Sequence, residues 1–165
     1  MAYAPMQLHL ETARLILREW DDSDVAEHRA LVGERGGGLP SVEENRRIME
    51  RQFARQRETG LALLAVHRRD EGDFIGYCGL TVGRASLDEP EIAYELFRRA
   101  HGRGYATEAA AAVLDAATAT GRERLWSAVR PWNTPSFRVL EKLGFERDHT
   151  SADESGELVW LTRSL

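Results

Sequence analysis

Apolar residues recur at two spacings along this chain, every second position in short runs and every third or fourth in longer ones. Residues 14–19 alternate and predict a strand. Asp21, Asp22 and Ser23 are candidate N-caps for a helix reaching about Val32. Gly33 to Pro40 is glycine-rich and reads as a loop. Ser41-Val42-Glu43-Glu44 has the form of a capping box, and its helix should run to about Glu58 and stop at Gly60. Leu61–His67 and Phe74–Val82 read as two strands joined by a turn at Arg69–Gly72. A fourth strand is predicted over about Glu91–Leu96, a helix from Ala106 to about Thr120, and a fifth strand over Arg124–Val129. Asn133-Thr134-Pro135-Ser136 opens a helix running to Lys142, with Asn133 as its expected N-cap. Residues 144–149 and 157–163 read as a closing hairpin around 151–156. There is no repeat and no break in composition, so residues 1–165 are expected to form a single domain.

Composition narrows the class. Hydrophobic residues make up 42% and charged residues 30%, which excludes a disordered or fibrous chain. No apolar run approaches the roughly 18 residues of a membrane helix, and Met1–Pro5 lack the basic start and apolar core of a signal peptide. The single cysteine, Cys78, rules out an internal disulfide, and a cytoplasmic location is expected. A net charge of −5 argues against nucleic acid as the main partner and suits a cationic amine. The five histidines show no metal-ligand spacing, so no metal is expected. Cys78 reads as a buried structural thiol, and Trp20, Trp126, Trp132 and Trp160 as walls of the core or of a substrate pocket.

The most informative stretch is Arg98-Arg99-Ala100-His101-Gly102-Arg103-Gly104-Tyr105-Ala106. Arg99, Gly102 and Gly104 make an R-x-x-G-x-G pattern between a strand and an alanine-rich helix. Two glycines one residue apart let successive N–H groups converge, and the helix start adds the positive end of its dipole. Strand, glycine turn and helix N-terminus together make a phosphate site. Tyr105 and Ala106 stand where a P-loop needs its lysine and hydroxyl, and Thr107 where a dinucleotide fingerprint needs its third glycine. An ordinary tight turn before a helix shares this pattern.

Four segments together resemble the GNAT superfamily of acyl-CoA-dependent N-acetyltransferases. They are Leu10–Arg18, Phe74–Leu80, Gly102–Ala109 and Asn133–Phe145, in the family's order and spanning nearly the whole chain. Within that superfamily the chain resembles the branch containing the RimJ and RimL ribosomal-protein N-terminal acetyltransferases. The resemblance implies a mixed α/β (α+β) fold. Its mostly antiparallel, twisted sheet has about six or seven strands and is flanked by about four helices. The fourth strand splays from the fifth, and acetyl-CoA lies in the gap. By the same resemblance the pantetheine arm maps onto Tyr94, Glu95, Leu96, Phe97 and Arg98, and the pyrophosphate loop onto Arg99, Gly102, Arg103, Gly104, Tyr105 and Ala106. Asn133 is implied as a further cofactor contact, and Ser136 as a donor to the departing sulfur. Many members carry a tyrosine acid seven residues after that asparagine. Here Leu140 stands in its place.

The reaction needs a neutral amine, a stabilised carbonyl oxygen and an outlet for the thiolate. An α-amino group with a pKa of about 8 is partly neutral at pH 7, whereas deprotonating a lysine costs about 4 kcal/mol. A strand N–H in the gap would stabilise the oxygen. Glu91 and Glu95 lie four apart on one strand face and are the candidate general bases, alongside a water chain. A surface role is the alternative for each carboxylate. The expected acceptor is a primary amine, on a protein N-terminus or a small molecule. The expected assembly is a monomer or homodimer. A CoA-binding module without turnover is the third reading.

Overall fold

The computed structural model describes residues 2–165. Eight strands and four helices follow one another as β1 (His9–Glu11), β2 (Leu15–Arg18), α1 (Asp22–Gly33), α2 (Val42–Thr59), β3 (Leu63–Arg68), β4 (Phe74–Thr81), β5 (Glu91–Leu96), α3 (Tyr105–Ala119), β6 (Arg124–Val129), α4 (Thr134–Lys142), β7 (Glu146–Asp153) and β8 (Gly156–Ser164). A short 3₁₀ turn, Arg98–Ala100, links β5 to α3. The sheet order is β1-β2-β3-β4-β5-β6-β8-β7. All neighbours are antiparallel except β5 and β6. The sheet therefore exceeds the expected six or seven strands. The extra strand, β1, is only three residues long and pairs His9 to Glu11 with Arg18 to Ile16.

The centre of the sheet is covered on both sides. β4 is buried at six of its eight positions, as expected of a strand between two helical layers. One face packs Leu31 of α1 against Ala65, Phe74 and Phe97, with Trp20 and Tyr77 at the edge. The other takes α3 through Ala109, Ala110, Val113 and Ala117, whose small side chains bring the helix close to Ile75, Ile92 and Leu125. Cys78 is fully buried and free, and burial pushes its thiol up. Trp132 departs from its expected place in a wall: it is 78% exposed.

The helix ends follow local chemistry with two differences. The complete capping box belongs to α1, where Asp21 accepts from the Asp24 amide and Asp24 reaches back to Asp21. At α2 only half of the expected box forms, Ser41 Oγ accepting from the Glu44 amide at 3.1 Å. Gly60 ends α2 in the left-handed conformation, as predicted. Asn133 precedes α4 but makes no side-chain cap bond, which leaves its amide free for another partner. The closing turn is also tighter than expected, because β7 and β8 extend to Asp153 and Gly156. Among the described residues no helix is long and apolar enough to cross a membrane.

Candidate active site

β5 and β6 meet at one end only. A single register pair, Glu91 with Trp126, joins them. There the Trp126 amide donates to the Pro90 carbonyl at 3.0 Å. One step on, Ser127 Oγ replaces the backbone donor and reaches the Ile92 carbonyl at 3.3 Å. Beyond Ser127 the two strands diverge. On its other edge β5 stays zipped to β4, with Phe97 N–H on the Ile75 carbonyl at 2.9 Å. Backbone groups alternate across a strand, so the N–H groups of Tyr94 and Leu96 point into the fork. This is where an oxyanion donor would have to sit.

The glycine loop closes the mouth of the fork. Gly102 and Gly104 have φ of 74° and 79°, and Gly104 is the residue before α3. Lacking a side chain, Gly104 gives the helix no side-chain cap. The first helical bond runs from Glu108 N–H to the Gly104 carbonyl at 3.0 Å. The amides of Tyr105, Ala106 and Thr107 therefore precede the helical ladder and face outward with the positive end of the dipole. The residues present fit a pyrophosphate: amides ahead of the helical ladder, a backbone that only glycine holds without strain, and the Arg14 guanidinium beside the turn.

A network from the far end of the chain holds this loop. Arg14 Nη1 donates to the Arg103 carbonyl at 2.9 Å, and its Nε pairs with Glu108 at 2.7 Å. Glu108 also accepts from the Arg14 amide at 2.9 Å and from Thr12 Oγ1 at 2.5 Å. The Arg14 guanidinium lies 4.4 Å above the Tyr105 ring centre. These contacts hold Glu108 below the usual carboxylate range despite its partial burial. Sequence reading missed this lock, because Arg14 and Glu108 are joined by no motif.

The expected cations divide. The Arg98 guanidinium donates to the Glu34 carbonyl at 2.7 Å, and its amide, on the fork side of the strand, is taken by the Glu34 carboxylate at 2.9 Å. Arg99 is drawn to the start of β4, on Asp73 at 2.6 Å and the Phe74 carbonyl at 2.7 Å. That pair and the stronger Arg68–Asp73 bonds hold Asp73 down at about 2. Among the described residues the Arg103 side chain has no such tether. His101 Nε2 donates to the Leu96 carbonyl at 2.9 Å, across the turn that follows β5.

Glu91 and Glu95 share the α1–α2 face of β5, as predicted, in different surroundings. Glu95 is half-exposed, and both its oxygens are engaged by Arg35. Glu91 is 7% exposed, with Oε2 on the Arg84 amide at 2.7 Å. Burial raises its pKa, opposed by the Arg84 amide and charge and by the Ala128 amide.

On the opposite face, Tyr94 spans the fork to α4. Its hydroxyl lies 3.0 Å from Ser136 Oγ and donates to the Ser136 carbonyl at 3.2 Å. Burial pushes the phenol up to about 12, so it is neutral and available as a donor. The resemblance placed Tyr94 along the pantetheine arm but assigned no role to its side chain. Its position opposite Ser136 is set by the sheet and leaves no local trace. The site thus gathers the Leu96 and Tyr94 amides, Asn133, Ser136 and the α3 amides around one fork, with both glutamates on its other face.

Comparison with known proteins places the chain in a family. Over 148 residues the chain is 31% identical to the uncharacterized N-acetyltransferase YoaA of Bacillus subtilis, covering 84% of this chain and 83% of YoaA. An acetyltransferase from Agrobacterium tumefaciens superposes with a TM-score of 0.79 at 28% identity, over 94% of this chain and 93% of the other. RimJ of Mycobacterium smegmatis, solved in complex with CoA-disulfide, shares the fold with a TM-score of 0.76 at 21% identity, over 99% and 87% of the two chains. Residues 14–146 match the acetyltransferase (GNAT) domain, and this chain belongs to the GNAT family of acetyltransferases.

Proposed function

We propose that this acetyltransferase uses acetyl-CoA and acts on the α-amino group of a protein or peptide, by direct attack in a ternary complex. The β5–β6 fork, opening beside an uncapped helix, carries this reading. Bound acetyl-CoA supplies an acetyl group activated as a thioester. The amides of Tyr105 and Ala106, with Gly102, Arg103 and Gly104, would hold the pyrophosphate, and the untethered Arg103 side chain would add a positive charge. Asn133, free of any capping duty, would bind the pantetheine arm. The Leu96 and Tyr94 amides would stabilise the carbonyl oxygen as it gains charge.

Ser136 donates a hydrogen bond to the sulfur as it becomes negative. In this arrangement Tyr94 turns its one proton from the Ser136 carbonyl to Ser136 Oγ, which leaves the serine proton to point into the fork. Tyr94 does not give up its own proton. Transfer from a phenol at about 12 to a thiolate whose thiol has a pKa of about 8.5 is uphill by about 5 kcal/mol. Glu91 receives the amine proton through water. Its raised pKa lies nearer the working pH than that of an ordinary carboxylate, and Arg35 occupies both oxygens of Glu95.

The test is direct. Calorimetry should show one acetyl-CoA site in the presence of a chelator, and mass spectrometry should show one acetyl group added to the α-amine of peptide acceptors. Absence of binding at millimolar acetyl-CoA, or transfer confined to lysine side chains, overturns the proposal.

Glu91→Gln separates chemistry from folding. Turnover should fall about ten-fold or more, and the acid limb of the pH profile should disappear. Stability should not fall, because the amide keeps the Arg84 bond and removes a buried charge. The sign follows from linkage. The folded state holds the Glu91 proton more tightly than the unfolded state, so this residue's contribution to wild-type stability declines as pH rises from 4.5 through its raised pKa. Melting curves against pH for the two proteins should differ by that slope. An unchanged turnover in the variant would return Glu91 to a structural role.

A further inference from the structure

Between α2 and the β3–β4 pair lies a cavity of about 240 Å³. Its floor is apolar, made by Leu61, Leu63 and Leu80. Its α2 wall carries Arg51, Gln52 and Arg55. Among the described residues no carboxylate lines it, although the chain as a whole carries a net charge of −5. The guanidinium groups of Arg51 and Arg55 have no hydrogen-bond or ion-pair partner among the described residues; the ion pair within α2 joins Arg47 to Glu43 instead. Gln52 Nε2 is buried without any acceptor. Gln56, also on the lining, already donates to Glu19 Oε1 at 3.2 Å, so the charged donors left open over the apolar floor are the two guanidinium groups, and these favour an anion.

The cavity adjoins the reacting strand. Leu63 pairs with Gly79 and Gly79 with Ala93, while Thr81, also on the cavity lining, pairs with Glu91. Cross-strand partners share a face, and this is the face on which Glu95 meets Arg35. Thr81 therefore carries the cavity lining to within one strand of Glu91. Neighbouring strands lie about 4.8 Å apart, which puts the cavity roughly 5–10 Å from β5. The carboxylate of a free amino acid sits two bonds from its amine and does not span that distance. An extended peptide advances about 3.4 Å per residue and reaches it within its first few residues.

We infer that this cavity takes an acidic side chain of the acceptor, so that the substrate is a polypeptide N-terminus with Asp or Glu among its second to fourth residues. The inference rests on the N-terminal acetyltransferase reading above. Its test uses three C-terminally amidated peptides with the same first residue and Glu, Gln or Lys at positions two to four. Acetyl transfer to each is measured with the wild-type protein and with Arg51→Glu/Arg55→Glu. Both arginines are exposed, so the variant should melt as the wild type does. The Glu peptide should exceed the Gln peptide in kcat/KM by about ten-fold or more, the Lys peptide should rank last, and the variant should reverse that order. Equal transfer to all three, or an order unchanged by charge reversal, overturns the inference. Calorimetry of the peptides against the CoA-loaded protein separates it from the parent reading. Heat from the Glu peptide alone, lost in the variant, supports the cavity even if no peptide is acetylated. No heat from any peptide overturns it.

Discussion

Gly104→Val should weaken CoA binding by about a hundred-fold or more while the protein still folds. Gly104 has φ 79° and ψ 6° immediately before α3. A residue with a Cβ pays about 1–2 kcal/mol to hold that conformation, most of all when β-branched. The larger loss falls on the ligand, because valine's methyl groups would stand in front of the Tyr105 and Ala106 amides. Charge-assisted bonds from such donors are worth about 1.5–3 kcal/mol each, so two of them account for the expected change. Gly104→Ala is the control: its Cβ would come no closer than 3.4 Å to another residue, at Arg14 Nη2. Alanine should therefore report strain alone, with a modest drop in melting temperature and a smaller loss of affinity. Calorimetry and thermal melts on both variants decide the matter. Wild-type affinity in the valine variant would place the pyrophosphate elsewhere.

The second large effect is on rate. Ser136→Ala should lower kcat by roughly ten- to a thousand-fold with little change in the KM for acetyl-CoA, because its bond to sulfur matters mainly in the transition state. Tyr94→Phe removes one hydroxyl at nearly constant shape and should lower kcat about ten-fold, again with KM preserved. The two losses should not add. If Tyr94 acts by orienting Ser136, the double variant turns over no more slowly than Ser136→Ala alone. A Tyr94 that merely packs the strand would cost the same in either background. Asn133→Ala should behave differently, raising the KM for acetyl-CoA, since its proposed contact is to the ground-state cofactor. Stability should hardly change, because no cap bond is lost. Wild-type kcat in Ser136→Ala would leave the serine as a helix-start residue.

Most of the scaffold is legible in the sequence because most of it is local. Alternation marks β2 and β5, a continuous apolar run marks β3, Gly60 ends α2, and the pair Gly102 and Gly104 announces a glycine turn ahead of an alanine-rich helix. What escapes reading, β1 and the second half of β7, owes its form to partners. β1 is too short to show a period, and β7 is exposed at every position, so its second half shows no apolar alternation and is a strand only because β8 pairs with it. Within the candidate site, the glycine loop was legible from local chemistry. The side-chain contacts of Tyr94 and Arg14 were not. Each acts on something distant in sequence, Ser136 in one case and Glu108 in the other, and no local pattern encodes such pairs. Asn133 shows the converse: its local chemistry predicts a cap, and the structure leaves its side chain uncommitted.

The Arg14–Glu108 lock also bears on the order in which the molecule assembles. It joins positions 94 residues apart, a contact of very high sequence separation. Such contacts pay their loop-closure entropy before they return any energy and tend to form late. The α3 helix and its glycine turn are contiguous and can form early, yet the loop is fixed only when β2 brings Arg14 across. In refolding, helical signal should therefore recover before the ability to bind CoA. CoA added during refolding would bind only the completed state and draw the last step forward by mass action.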